Sequence, residues 1–258
     1  MPKLNYAIVG NGSWGTKLFS ILKDFDRKVL SISLSRKGIS QAQSDYRNDV
    51  IEAFNNAPNH IDTVWLAVPP CDQFILVDTA LDRGWNIIVE KPWDLKKQKT
   101  KSLINKAKKL KLQIGVHHQY CYLDVFKKLS HNLKLGQNVT FSGKFNILRK
   151  NRLNIPAFKN LASHLFAIKM LHFPLASTGT IETSYNKENH RSIFLQTTNK
   201  NYDIDFTNNT EPLIQRFILD FEKSVSSQKL FQLNLDIIIF INEQLKQNSF
   251  NLLQSKNK

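Results

Sequence analysis

The 258-residue chain is 41% hydrophobic, enough to bury one large core or two moderate ones, which excludes an intrinsically disordered segment. No apolar run approaches the roughly 20 residues that span a bilayer, and the first residues lead into a strand without a signal-peptide pattern, so a cytoplasmic protein with no membrane contact is expected. The net charge of +15 invites an anionic partner, but no aromatic interleaving or zinc-finger spacing accompanies it, so the surplus reads as solvated lysines rather than a nucleic-acid surface.

Leu4 to Val9 is a short apolar run ending at a glycine, the pattern of a buried strand. Thr16 to Lys23 follows with helical spacing at Leu18, Phe19, Ile21 and Leu22. Val29 to Leu34 reads as a strand, Gln41 to Asn55 as a helix, and Thr63 to Val68 as a strand stopped by Pro69 and Pro70. Asp72 to Arg83 is a helix closed by Gly84, Trp85 to Val89 a strand running into Glu90-Lys91-Pro92, Leu95 to Leu110 a lysine-rich amphipathic helix, and Gln113 to Val116 a fifth strand. Several of these strands are continuously apolar, as when helices cover both faces. The alternation therefore predicts a doubly wound parallel sheet over residues 1–120.

From residue 121 to 258 the pattern becomes α+β. Tyr122 to Leu133 and Ala157 to Leu171 read as helices, and Val139 to Leu148 alternates like a half-exposed strand. Ile181 to Tyr185, Ser192 to Thr197 and Tyr202 to Phe206 look like antiparallel strands of an open sheet, followed by helices near Leu213 to Ser226 and Leu233 to Gln247.

Gly10-Asn11-Gly12-Ser13-Trp14-Gly15 is a GxGxxG between a predicted strand and a predicted helix, the context that marks a dinucleotide site. Gly10 allows the tight turn, Gly12 lets the backbone approach a pyrophosphate, and Gly15 lets the helix pack closely. The helix start then offers free N–H groups and a positive dipole end. About 20 residues on, where an acid would accept from the ribose hydroxyls of NAD, the chain reads Ser35-Arg36-Lys37. A hydroxyl and two cations suit a 2′-phosphate, so NADP is favoured over NAD. A lysine at the carboxyl end of a parallel strand, as Lys91 is, points toward the ligand crevice and can stabilise an alkoxide and pass a proton.

Taken with Ala67 to Pro70, Ile114 to Tyr120, Asn160 to His164 and Glu211-Pro212-Leu213, the Glu90-Lys91-Pro92 segment resembles the Gfo/Idh/MocA oxidoreductases, in the family's order and spacing. The resemblance implies a Rossmann domain, an α+β substrate domain whose open sheet forms a homodimer interface, and NAD(P)-dependent redox chemistry on a sugar or nucleotide-sugar carbon. It implies Lys91 as a catalytic residue touching the reacting oxygen, and Val68, Pro69, Glu90 and Pro92 beside the cofactor. It also implies His164 as an acid/base on one helix face with residue 160.

Three departures accompany the resemblance. Asn160 stands where the family has an aspartate, and an amide binds a hydroxyl without accepting a proton. Gln119 and Tyr120 occupy a stretch that often carries an arginine. The second domain is short. Reduction of a C=N or C=C bond, as in imine or biliverdin reductases, and a non-catalytic dinucleotide-binding role stay open as alternatives. His117 and His118 are adjacent on a strand and point to opposite faces, so no metal site is expected of them, although one of the pair, with His118 the candidate, belongs at the substrate crevice.

Overall fold

A computed structural model describes residues 3–34, 43–93, 95–133, 138–148, 156–185, 188–229, 231 and 238–246. The chain divides into two compact units, Met1–His117 with Phe217–Asp236, and His118–Arg216 with Ile237–Lys258. No helix among the described residues is long and apolar enough to cross a membrane.

The first unit alternates β1 (Tyr6–Val9), α1 (Ser13–Asp24), β2 (Val29–Ile32), α2 (Gln43–Asn55), β3 (Thr63–Leu66), α3 (Gln73–Asp82), β4 (Asn86–Glu90), α4 (Lys97–Leu110) and β5 (Ile114–His117). The strands lie in the order β2-β1-β3-β4-β5 and every pair is parallel. β1, β3 and β5 are buried throughout and β4 is buried up to Val89, which explains their unbroken apolar runs. The chain leaves β1 toward one side and returns to β3 on the other. That reversal opens a crevice at the carboxyl ends of β1 and β3, the usual ligand position in such sheets.

A late segment completes this unit. Helix α7 (Leu213–Ser227) carries Glu222, whose carboxylate accepts from Arg27 Nε at 2.6 Å and Nη2 at 2.7 Å, and from the Tyr6 hydroxyl at 3.2 Å. A Cβ on Gly115 of β5 would lie 2.9 Å from the Phe231 ring and 3.0 Å from Phe221, so glycine lets these two rings pack on the sheet. The sequence pattern places all of 121–258 in the second domain, whereas Phe217–Asp236 cluster with the first unit.

The second unit holds α5 (Asp124–Asn132), β6 (Val139–Ile147), α6 (Ala157–His172), β7 (Ser177–Tyr185), β8 (His190–Thr197) and β9 (Asn201–Asp205), and residues 238–246 are helical. Its sheet runs β7-β6-β8-β9. β6–β8 and β8–β9 are antiparallel as expected, but β7 runs parallel to β6. The reason is the connection: α6 carries the chain back across the sheet before β7 begins, and a crossover through a helix returns a strand in the same direction. Phe141, Phe145, Ile193 and Leu195 are buried on the face that α6 covers, while Ser142, Lys144, Phe194 and Gln196 alternate on the other. Gly143 makes room for Leu165, which would lie 2.9 Å from a Cβ there. α6 is buried from Asn160 to Lys169, with α5 also packed against it.

Candidate functional site

The turn after β1 is built by close backbone approach. Gly10 has φ +109°, and a Cβ on it would lie 2.5 Å from the Ala67 carbonyl oxygen at the end of β3. A Cβ on Gly15 would lie 1.8 Å from the Gly10 carbonyl oxygen, so both residues must be glycine. Gly12 differs, because a Cβ there meets nothing within 4 Å. It caps α1 with no side-chain hydrogen bond, and the first turn carries no acid. The first N–H groups of α1 thus lack intrahelical partners and meet open space at the positive end of the helix. This cradle fits a pyrophosphate, since a nucleotide phosphate would occupy the space that a Cβ at Gly12 would fill.

Asn11 and Ser13 are exposed in the same turn and Trp14 is half-buried. Val68, half-buried after β3, approaches the Gly10 turn, its Cγ1 3.4 Å from where a Gly10 Cβ would stand, and Pro69 follows it, exposed. Ser35, Arg36 and Lys37 lie outside the described residues; β2 ends at Ile32.

Glu90 closes β4, with Lys91 half-buried and Pro92 buried after it, joined by a cis peptide bond. Glu90 and His117 are register partners across β4 and β5, so their side chains share a sheet face. The Glu90 carboxylate accepts from the Trp65 indole at 3.0 Å and pairs with His117 Nδ1 at 3.0 Å, while Gln73 Nε2 donates to its backbone carbonyl at 2.8 Å. His117 is 2% exposed and packs against Phe217, Trp65 and Trp14 at ring separations of 4.8, 5.1 and 6.1 Å, the last of these stacked. Burial pushes the Glu90 carboxyl up, but the His117 charge and hydrogen bond, with the Trp65 indole, bring it below the ordinary glutamate value. Neither residue's local sequence links it to the other. The signal was available: the predicted strands end at Val89 and Val116, and Glu90 and His117 are each the next residue.

In the second unit His164 of α6 is 6% exposed. Its ring stacks on Phe145 at 5.3 Å and meets Tyr120 and His118 edge-on at 5.0 and 5.3 Å. His118, the first residue after β5, is therefore with His164, and His117, the last residue of β5, is with Glu90. Asn160, one turn before His164, donates its amide to the Tyr185 hydroxyl of β7. Arg191 of β8, one residue before the strand expected from Ser192, places its guanidinium 5.6 Å from the Tyr120 ring and 5.5 Å from Phe145. Among the described residues no group of three or more His, Cys, Asp and Glu is arranged to hold a metal ion. Cys121 is a buried free thiol whose pKa burial pushes far up, so it is a poor nucleophile.

Comparison with known proteins agrees with this architecture. Residues 4–118 match the Gfo/Idh/MocA family, described as an oxidoreductase family with an NAD-binding Rossmann fold. An uncharacterized oxidoreductase of Synechocystis is 21% identical over 141 residues, a match that spans 52% of this chain and 38% of that protein's length. Among solved structures, the UDP-N-acetylglucosamine 3-dehydrogenase of Acidithiobacillus ferrooxidans superposes with a TM-score of 0.78 at 13% identity, over 96% of this chain and 97% of that one. The 3-ketoreductase KijD10 of Actinomadura kijaniata, in complex with TDP-benzene and NADP, gives 0.67 at 10% identity over 93% and 95% of the two chains. At these identities the two structures establish likeness of fold.

Proposed function

We propose that the chain, whose residues 4–118 match the Gfo/Idh/MocA oxidoreductase family, moves hydride between NADP and a carbonyl or hydroxyl carbon of a sugar or nucleotide sugar. The observation that carries the reading is the glycine cradle at α1, with Lys91 one residue beyond the carboxyl end of β4 in the same unit. When bound, the nicotinamide would give or take the hydride. Lys91 carries an ammonium able to stabilise a developing alkoxide and exchange a proton with it, and Glu90, fixed by Trp65 and His117, holds the strand end from which Lys91 departs. His164 assists proton transfer, with Asn160 and His118 as substrate contacts. The preference for NADP rests on Ser35-Arg36-Lys37, where two cations replace the acid that would favour NAD. The sugar class rests on the fold neighbours, which include a nucleotide-sugar dehydrogenase and a 3-ketoreductase.

One observation favours a second reading. Asn160 gives its amide to Tyr185, so the residue one turn from His164 is an anchor and not a proton acceptor. Reduction of a C=N or C=C bond asks less of such a pair. For assembly, the uncovered face of β6 and β8, with Phe194 exposed among polar residues, is the proposed homodimer surface.

The test is a fluorescence titration of the protein with NADPH and NADH, with Arg36→Ala beside the wild type. Binding of NADPH about tenfold tighter than NADH, with that advantage lost in the variant, is expected of a 2′-phosphate contact. A substrate screen under single-turnover conditions then uses Lys91→Ala as its control, which binds NADPH but transfers no hydride. Failure to bind either nucleotide overturns the proposal.

A further inference from the structure

β8 sets its odd-numbered residues on the face that α6 covers: Leu195 opposite Phe141, Ile193 opposite Gly143, and Arg191 opposite Phe145. The first two are buried apolar side chains and the third is a guanidinium. A cation on an apolar face requires acceptors or a countercharge. Arg191 has few of the first and none of the second. Its Nη1 donates to the Thr207 carbonyl at 2.8 Å, its Nε–H is buried without an acceptor, and no carboxylate pairs with it among the described residues. The carboxylate of Asp205, on the neighbouring strand, is occupied by the backbone N–H of Thr207 at 2.7 Å. The rings of Tyr120 and Phe145 lie within cation–π range of the guanidinium and carry no formal charge to compensate it. The same two rings flank His164, at 5.0 and 5.3 Å. Tyr120 and Arg191 are half-buried, so the group is reached from solvent on their side.

We propose that Arg191 is a substrate-specificity residue that receives a carboxylate or phosphate carried by the small molecule acted on beside His164. The anion lies within a few ångströms of the reacting region, because guanidinium and imidazole share their two flanking rings. The substrate class is then a sugar acid or sugar phosphate rather than a neutral sugar. A guanidinium suits both groups, as either oxyanion accepts charge-assisted hydrogen bonds from its N–H groups. The inference rests on the role proposed for His164, but its test does not depend on turnover.

The experiment is calorimetric titration of the full chain with D-glucuronate, D-glucose 6-phosphate and D-glucose, for the wild type, Arg191→Lys and Arg191→Gln, with NADPH binding measured on the same samples. The wild type is expected to bind one of the two anions at least about tenfold tighter than glucose. Which anion wins identifies carboxylate or phosphate. Arg191→Gln is expected to erase the difference while binding NADPH as before, and Arg191→Lys to keep part of it. Equal binding of anion and neutral sugar by the wild type, or no binding of any of the three, overturns the assignment without needing a folded variant. So does a folded Arg191→Gln that keeps the preference. If anions are discriminated but no dinucleotide binds, the oxidoreductase reading fails while the anion site stands.

Discussion

In the first unit the candidate site is made of main chain: a glycine at φ +109°, a second glycine against the carbonyl of the first, and a helix start with no side chain over it. In the second unit the candidate cluster is made of side chains, with His164 of α6 enclosed by Phe145 of β6 and by Tyr120 and His118 of the segment before α5. The two constructions tolerate change differently. A backbone cradle requires particular residues wherever a Cβ would collide and accepts substitution elsewhere. An aromatic enclosure can be rebuilt with other rings, so its chemistry is free to diverge while the fold stays. This is consistent with neighbours that share the fold at 13% and 10% identity.

The largest expected effect contrasts how the two units are tied together internally. Arg27 and Glu222 pair with side chains 7% and 3% exposed. Arg216, Glu211 and Asp124 form the corresponding ionic cluster of the second unit, with side chains about a third exposed or more. Breaking a buried pair leaves an uncompensated charge, so Glu222→Ala is expected to cost about 3–5 kcal/mol. Asp124→Ala is expected to cost less than about 1 kcal/mol. Urea unfolding of both variants measures the difference. Equal losses would mean that Phe217–Asp236 do not stabilise the first unit as the Arg27–Glu222 pair implies.

The next effect separates the glycines of one cradle. Gly15→Ala drives a Cβ into the Gly10 carbonyl and is expected to destabilise by about 3 kcal/mol, through the displacement of α1 from its turn. Gly12→Ala has open space around the new methyl and an allowed φ of −67°, so its midpoint should stay within about 0.5 kcal/mol of wild type. Its NADPH affinity is nonetheless expected to fall about tenfold or more, because the methyl takes the place of the pyrophosphate. Unchanged affinity in Gly12→Ala would place the phosphates elsewhere.

That contrast also explains which parts of the molecule were legible in the sequence. Gly10, Gly12 and Gly15 announce themselves because a backbone site allows few residues at fixed spacing, and the parallel strands do so because burial on both faces leaves uninterrupted apolar runs. Ile181 to Tyr185 reads as an antiparallel strand, but it pairs parallel to β6, because the path of α6 decides its direction. The helices near Leu213 to Ser226 and Leu233 to Gln247 read as parts of the second domain; nothing local records that Glu222 answers Arg27 from 195 residues away. Arg191 escaped because a charged residue at a strand end resembles a turn, and its inward face is defined only by pairing with Phe145.

The smallest effect lies in acid, where each unit carries, among the described residues, a half-buried titratable group whose shift has a known direction. In the second unit burial lowers the pKa of His172, whose Nε2–H donates to the Cys121 carbonyl at 2.7 Å. The unfolded chain takes up that proton near pH 6.5, before the folded chain does. Stability is therefore complete above about pH 6.5 and declines as the pH falls from there toward the lower folded value. In the first unit Glu90 is held below its ordinary value by His117, so the unfolded chain again protonates first, but near pH 4.3. Its contribution is present above about pH 4.3 and disappears as the pH passes down through the folded value. His172→Gln is expected to flatten the fall in urea midpoint between about pH 6.5 and 5 and to leave the steeper fall below it. Glu90→Gln should do the reverse. A His172→Gln protein with the wild-type slope in the upper window would mean that this imidazole is not kept neutral by its burial, and that the side-chain-built unit is no more acid-sensitive near neutrality than the backbone-built one.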